Sequence, residues 1–216
     1  MRLRWSRFLL LCAAMITLAG GASQAAQTAV RLGQEYEEIP QQPIATGPKI
    51  EVVEFFWYGC PHCAQLQAPL EAWLKRKPDD VELRRIPAIF RPSWLAHARI
   101  FYTLEAIGEL GRLHQAVYKA VHVDKEELLS AETSAEWAVR HGVDRSRWMT
   151  AYNSADTTKK VEAARSATRD YAIQGTPSLV VDGRYLTSSS MADSYQGVVV
   201  ILDELIRIAR ERRTNK

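Results

Sequence analysis

Two cysteines separated by two residues, Cys60-Pro61-His62-Cys63, carry the plainest chemistry in the chain. A strand-like run from Ile50 to Phe56 and an aromatic turn, Trp57-Tyr58-Gly59, precede them. A helical pattern through Leu66, Leu70, Trp73 and Leu74 follows. A Cys-X-X-Cys at a strand-to-helix junction reads as a redox dithiol. The spacing lets the sulfurs meet within one turn as a reversible Cys60–Cys63 disulfide. The first cysteine sits where helix N–H groups and the positive end of the dipole favour a thiolate. Pro61 and His62 complete the quartet, and His62 can add a donor or a positive charge.

Other readings of the pair compete with this one. Half of a zinc site would need further ligands, but there is no second Cys-X-X-Cys, and His114 and His122 are too far apart for a finger. A passive structural disulfide in an exported protein is the second alternative.

The elements that must position the dithiol begin after a targeting segment. Arg2, Arg4 and Arg7 form a cationic start, Phe8 to Leu18 an apolar core, and Ser23-Gln24-Ala25 a small-residue cleavage site. Residues 1–25 are therefore expected to be a signal peptide cut after Ala25, with an uncleaved anchor as the alternative. Cys12 lies inside the apolar run without a lipoprotein pattern. Removing this segment leaves Cys60 and Cys63 as the only cysteines and takes away three arginines and no acids, so the net charge of +3 falls to 0. That balance argues against a nucleic-acid protein. Roughly 190 remaining residues suit one domain, or one domain with a large insertion.

Residues 27–48 are polar and punctuated by Pro40, Pro43 and Gly47-Pro48, with a leading strand or arm near Glu35-Tyr36. Ile50 to Phe56 is β-rich and nearly continuous, as in a strand buried on both faces. Glu54 is out of place in it. It is either a solvated charge at a strand end, or a buried carboxyl whose charged form is disfavoured, close enough behind the cysteines to move a proton. Pro69 should kink the helix that follows. Val81 to Ile86 alternates as a second strand and closes a βαβ unit. From Pro92 the chain is helical for about eighty residues, with helices expected from Pro92, over Glu109–Val121, Ala131–Arg140 and Asp144–Tyr152, and from an N-cap at Asp156. Strands return at Thr176 to Leu186, where Asp182-Gly183 signals a hairpin turn. A last amphipathic helix spans Val198 to Arg210.

Exported chain, Cys60-Pro61-His62-Cys63, helical insertion and Gly175-Thr176-Pro177 before a hairpin together resemble the DsbA family of bacterial periplasmic thiol:disulfide oxidoreductases. The likeness covers essentially the whole mature chain. It implies an α/β thioredoxin fold with an inserted all-helical domain: thioredoxin parts at 26–90 and 172–216, and the insertion at 91–171. By the same resemblance Cys60 is the attacking, exposed cysteine and Cys63 its buried partner. Pro177 is a cis-proline facing them, Thr176 offers backbone groups to a client strand, and Glu54 matches a buried acid. Reduced exported proteins are the implied clients, a quinone-linked membrane oxidase of the DsbB type reoxidises the dithiol, and a monomer without metal or organic cofactor is expected. Gln67 departs from the pattern, standing where a second acid is often found, and Thr176 stands where valine is often found. An isomerase, an exported reductant and a peptide-binding or chaperone module are the alternative functions.

Overall fold

The computed structural model describes residues 30–215; the expected signal peptide 1–25, its cut after Ala25 and Cys12 lie outside them. The sheet is organised around β2 (Ile50–Phe56), every residue of which is buried. Its run of β-branched and aromatic side chains finds apolar partners on both faces, so no position needs to face water. β1 (Glu37–Glu38) lies at one edge and β3 (Val81–Pro87) at the other. β3 runs parallel to β2 with Ile50 opposite Val81 and Glu54 opposite Arg85. β4 (Ser178–Val181) pairs antiparallel on the other side, followed outward by β5 (Tyr185–Ser188) and β1. Asp182 and Gly183 join β4 to β5 with φ of 54° and 66°. Two left-handed residues match the twist of a tight hairpin.

α1 (Pro61–Leu74) connects β2 to β3, and the helical block between β3 and β4 follows a short 3-10 turn at Pro92–Trp94. That block comprises α2 (Leu95–Ala106), α3 (Leu110–His122), α4 (Ala131–Arg140), α5 (Arg145–Tyr152) and α6 (Ala155–Asp170). α7 (Tyr195–Thr214) closes the chain. Two buried clusters lie on opposite faces of the sheet. One joins Ile50, Val52 and Leu179 to Leu66, Leu70 and Trp73 of α1 and Leu202 and Leu205 of α7. The other joins Val53 and Phe55 to Phe101, Leu113, Trp137 and Trp148 of the helical block, and it includes both cysteines. The block thus shares its core with the sheet and the redox pair.

Several local expectations shift. The leading strand is β1 at Glu37–Glu38, two residues later than Glu35-Tyr36, because Leu32 and Tyr36 close a small bridge of their own first. Ser154, not Asp156, caps α6: its hydroxyl accepts from the Thr157 N–H, and Asp156 falls in the first turn, where its charge still suits the dipole. α7 begins three residues before Val198, capped by Ser194. α1 continues through Pro69. The carbonyl that Pro69 cannot satisfy belongs to Gln65, whose exposed position leaves it open to solvent. No helix among the described residues is long and apolar enough to cross a membrane.

Candidate active site

Cys60 is the N-cap of α1 and Pro61 its first helical residue, a position where the missing N–H costs nothing. The Cys60 sulfur accepts from the Cys63 N–H at 3.4 Å, so the cap that holds the helix end is itself the reactive atom. As a thiol it can donate to the Thr176 carbonyl at 3.3 Å. Thr176-Pro177 is a cis peptide bond. The pair is present as free thiols. Cys63 is fully buried; Cys60 is 7% exposed, less open than the resemblance implied, because the Thr176 backbone leans over it.

The two thiols differ sharply in acidity. The Cys60 thiol is lowered to about 5, chiefly by a hydrogen bond from the Cys63 thiol to the thiolate. Burial opposes this, while hydrogen bonding from the Thr176 side chain and from the backbone N–H groups of Cys63 and His62 assists. The Cys63 thiol is raised well above its ordinary value, first by burial, then by the adjacent Cys60 sulfur and its charge, with the Glu54 charge adding a little. The charge in this site belongs on Cys60.

The turn before Cys60 is held by the helical block. Trp57 stacks on Trp94 with ring centroids 4.1 Å apart and planes 3° from parallel. A Cβ on Gly59 would come within 2.2 Å of the Trp57 ring, so only glycine lets the indole fold back there. Tyr58 places its hydroxyl 2.8 Å from His114 Nδ1, and its carbonyl lies 2.7 Å from His122 Nε2. Burial lowers His114 to about 3, so its ring is neutral at ordinary pH and Nδ1 accepts from Tyr58.

Glu54 is fully buried, which removes the solvated reading. Its surroundings are not apolar either. One carboxylate oxygen accepts from Arg85 Nε and the other from Gln67 Nε2, each at 2.9 Å. The Gln67 amide also reaches the Cys63 carbonyl at 3.3 Å and accepts from Gln115 Nε2 at 3.1 Å. Arg85 is shared with Glu71 at 2.8 Å. Gln67 therefore joins Glu54 to the backbone of Cys63 and to α3. The partners Arg85 and Gln115 were not singled out from the sequence. The signal for the first was present: two acids in β2 facing two adjacent arginines in β3.

The His62 ring nitrogen Nδ1 lies 2.7 Å from the Tyr195 hydroxyl at the start of α7, and the His62 backbone N–H contributes to Cys60. The side chain is turned towards a groove of about 600 Å³ lined by Thr176, Pro177, Ser188, Met191 and Tyr195. Among the described residues, no three His, Cys, Asp or Glu side chains gather as a metal site would require.

Comparison with known proteins agrees with this geometry. Residues 51–199 match the model of the DSBA-like thioredoxin domain. The thiol:disulfide interchange protein DsbA of Burkholderia cepacia is 35% identical over 91% of this chain and 93% of its own length. That of Azotobacter vinelandii is 38% identical, covering 84% and 85%. Among solved structures, DsbA of Pseudomonas aeruginosa superposes with a TM-score of 0.81 at 34% identity, covering 84% of this chain and 95% of that one. The oxidoreductase DsbA of Xylella fastidiosa gives 0.79 at 31% identity, covering 84% and 98%. A dithiol at a helix N-terminus, a cis-proline against it and a helical block sharing its core thus belong to a thiol:disulfide oxidoreductase, and the chain is a member of the DsbA family.

Proposed function

We propose that the protein acts as an oxidant in the periplasm, passing the Cys60–Cys63 disulfide to reduced exported proteins. The observation that carries this is the asymmetry of the two thiols. A thiolate stabilised on Cys60 exists only in the reduced protein, so the folded structure favours the dithiol and makes the disulfide oxidising. A client thiolate attacks the Cys60 sulfur, breaking the Cys60–Cys63 bond and forming a mixed disulfide. The electron pair leaves on Cys63, whose raised affinity for protons draws one in. The client's second thiolate then attacks its own mixed-disulfide sulfur and expels Cys60, a good leaving group. Two electrons pass from client to protein.

Thr176 and Pro177 offer the backbone edge along which a client strand lies beside Cys60, and Pro61 fixes the first helical residue. Glu54, held by Gln67 and with a charge that helps to raise the Cys63 thiol, tunes proton movement at Cys63. The functional units are 26–90 and 172–216 as the thioredoxin part and 91–171 as the insertion. A quinone-linked membrane oxidase of the DsbB type returns the dithiol to the disulfide, and the protein works as a monomer. Equilibration of the mature protein with glutathione buffers tests the reading. An oxidant is reduced in buffers where an ordinary structural disulfide stays intact; a pair that holds its disulfide there is a reductant or structural, and the proposal fails.

A further inference from the structure

The segment leading to the cis-proline separates two hollows of opposite charge. Gln174 lines both. On one side lies the groove of about 600 Å³, whose acids are Glu37 and Asp193. On the other lies a hollow of about 500 Å³ between the end of β3 and α6, lined by Phe90, Arg165, Arg169 and Ile173 and by no carboxylate. Arg91 borders an adjoining recess that shares Phe90 and Arg165. The floor is fixed, because the Ile89 N–H donates to the Thr168 hydroxyl at 3.3 Å and joins the end of β3 to α6.

The arginines are spare. Arg165 has its nearest carboxylate, Glu162, at 3.9 Å, and Arg169 donates only to the Ser166 hydroxyl at 3.1 Å. Among the described residues, neither Arg91 nor Arg169 has a carboxylate partner. Arg169 suits the last turn of α6, but Arg165 lies a turn earlier and Arg91 on another segment, so the helix dipole does not explain the cluster. Without the expected targeting segment the net charge is 0, so the cluster is a local excess. An exposed aromatic ring stands within it: Phe90 is 40% exposed and meets Trp94 edge-on at 5.1 Å, and Trp94 stacks on Trp57 of the catalytic turn.

We propose that this hollow is a docking site for an acidic client segment on one side of the reacting cysteine. The inference rests on the redox reading of the Cys60–Cys63 pair. The hollow is continuous with the client track, since Gln174 is two residues from Thr176, whose carbonyl lies 3.3 Å from the Cys60 sulfur. Guanidinium groups beside an apolar ring fit carboxylates carried on a peptide. The acidic groove beyond Gln174 repels the same charges, so their position along the client matters as well as their number.

The test uses oxidised mature protein and reduced two-cysteine peptides with paired glutamates before the cysteines, after them, or replaced by glutamines. Each peptide is run against the wild type and against Arg165→Gln/Arg169→Gln, so that the effect of glutamate on the peptide's own thiols cancels. In one of the two positions glutamate should speed exchange with the wild type about fivefold over the variant, the size of two exposed charge pairs. The gain should fall below about twofold in 1 M salt. Glutamine peptides and dithiothreitol should react equally with both proteins. Equal gains from both positions would mean diffuse attraction without a seat, and would overturn the proposal. No gain from either, with normal dithiothreitol exchange, overturns it and leaves the redox reading intact, also where the arginines prove to hold anionic phospholipid vesicles instead. A pair inert to dithiothreitol overturns both.

Discussion

Glu51 and Glu54 lie three residues apart on the same strand, both fully buried, each paired with an arginine from β3. Their side chains fall on opposite faces of the sheet, as the two-residue period of a strand requires. The Glu51 carboxylate binds Arg84 at 2.8 Å and caps the backbone of Ala45 at 2.9 Å, tying the loop before β2 to the sheet. The Glu54 carboxylate binds Arg85 and, through Gln67, the first turn of the redox helix. Burial and an ion pair are therefore common to both, and neither marks function. What separates them is the partner of the second oxygen.

The largest effect should come from unpairing the functional site. Arg85→Met leaves Glu54 buried without its cation, and unfolding in urea should show a loss of about 3–5 kcal/mol. The same change at Arg84, whose side chain is 35% exposed against 17% for Arg85, should cost less. Equal losses would mean that the two sites are energetically alike.

Next in size is the effect of a charge held by helix amides and a thiol instead of by an arginine. The folded Cys60 thiol, lowered to about 5, lies below its ordinary value of 9.0. Its stabilisation is fully present above the unfolded value and is lost as pH falls through the folded one. A disulfide closing so short a loop gains little chain entropy. Reduced protein should therefore have the higher urea midpoint at neutral pH, and its lead should vanish near about pH 4. A more stable oxidised form at neutral pH would contradict the assignment of charge to Cys60.

Glu54→Gln keeps an acceptor for Arg85 but removes the charge. Disulfide exchange with dithiothreitol should slow about tenfold across the neutral range, with the fold intact. Smallest is Glu51→Gln, which should lower stability by about 1 kcal/mol and leave the exchange rate unchanged. If Glu51→Gln slows exchange as much as Glu54→Gln, the distinction between the two carboxylates collapses.

The chemistry of the quartet and the frame around it were legible because local rules decide them. A continuous β-branched run reads as a strand buried on both faces, Cys-X-X-Cys before a helical stripe as a capped dithiol, and Asp182-Gly183 as a left-handed turn. The side-chain partnerships were not legible, because they join residues far apart in the chain. Gln115 meets Gln67 across forty-eight positions, and Tyr195 meets His62 across one hundred and thirty-three. No periodicity encodes such a meeting; it depends on how α3 and α7 settle against α1. Glu54 lies between these cases. Its oddity in an apolar strand was visible, but its pairing with Arg85 needed the parallel register of β2 and β3.

The stacked indoles of Trp57 and Trp94 carry an optical consequence. Trp57 belongs to the turn that delivers Cys60, and Trp94 to the helical segment opening the block. Two indoles in face-to-face contact share their excited states, so their joint circular dichroism differs from that of either ring alone. The protein thus carries a built-in gauge of the seam between its catalytic turn and its helical block. The signal should fade when the seam opens, even while the secondary structure on either side persists.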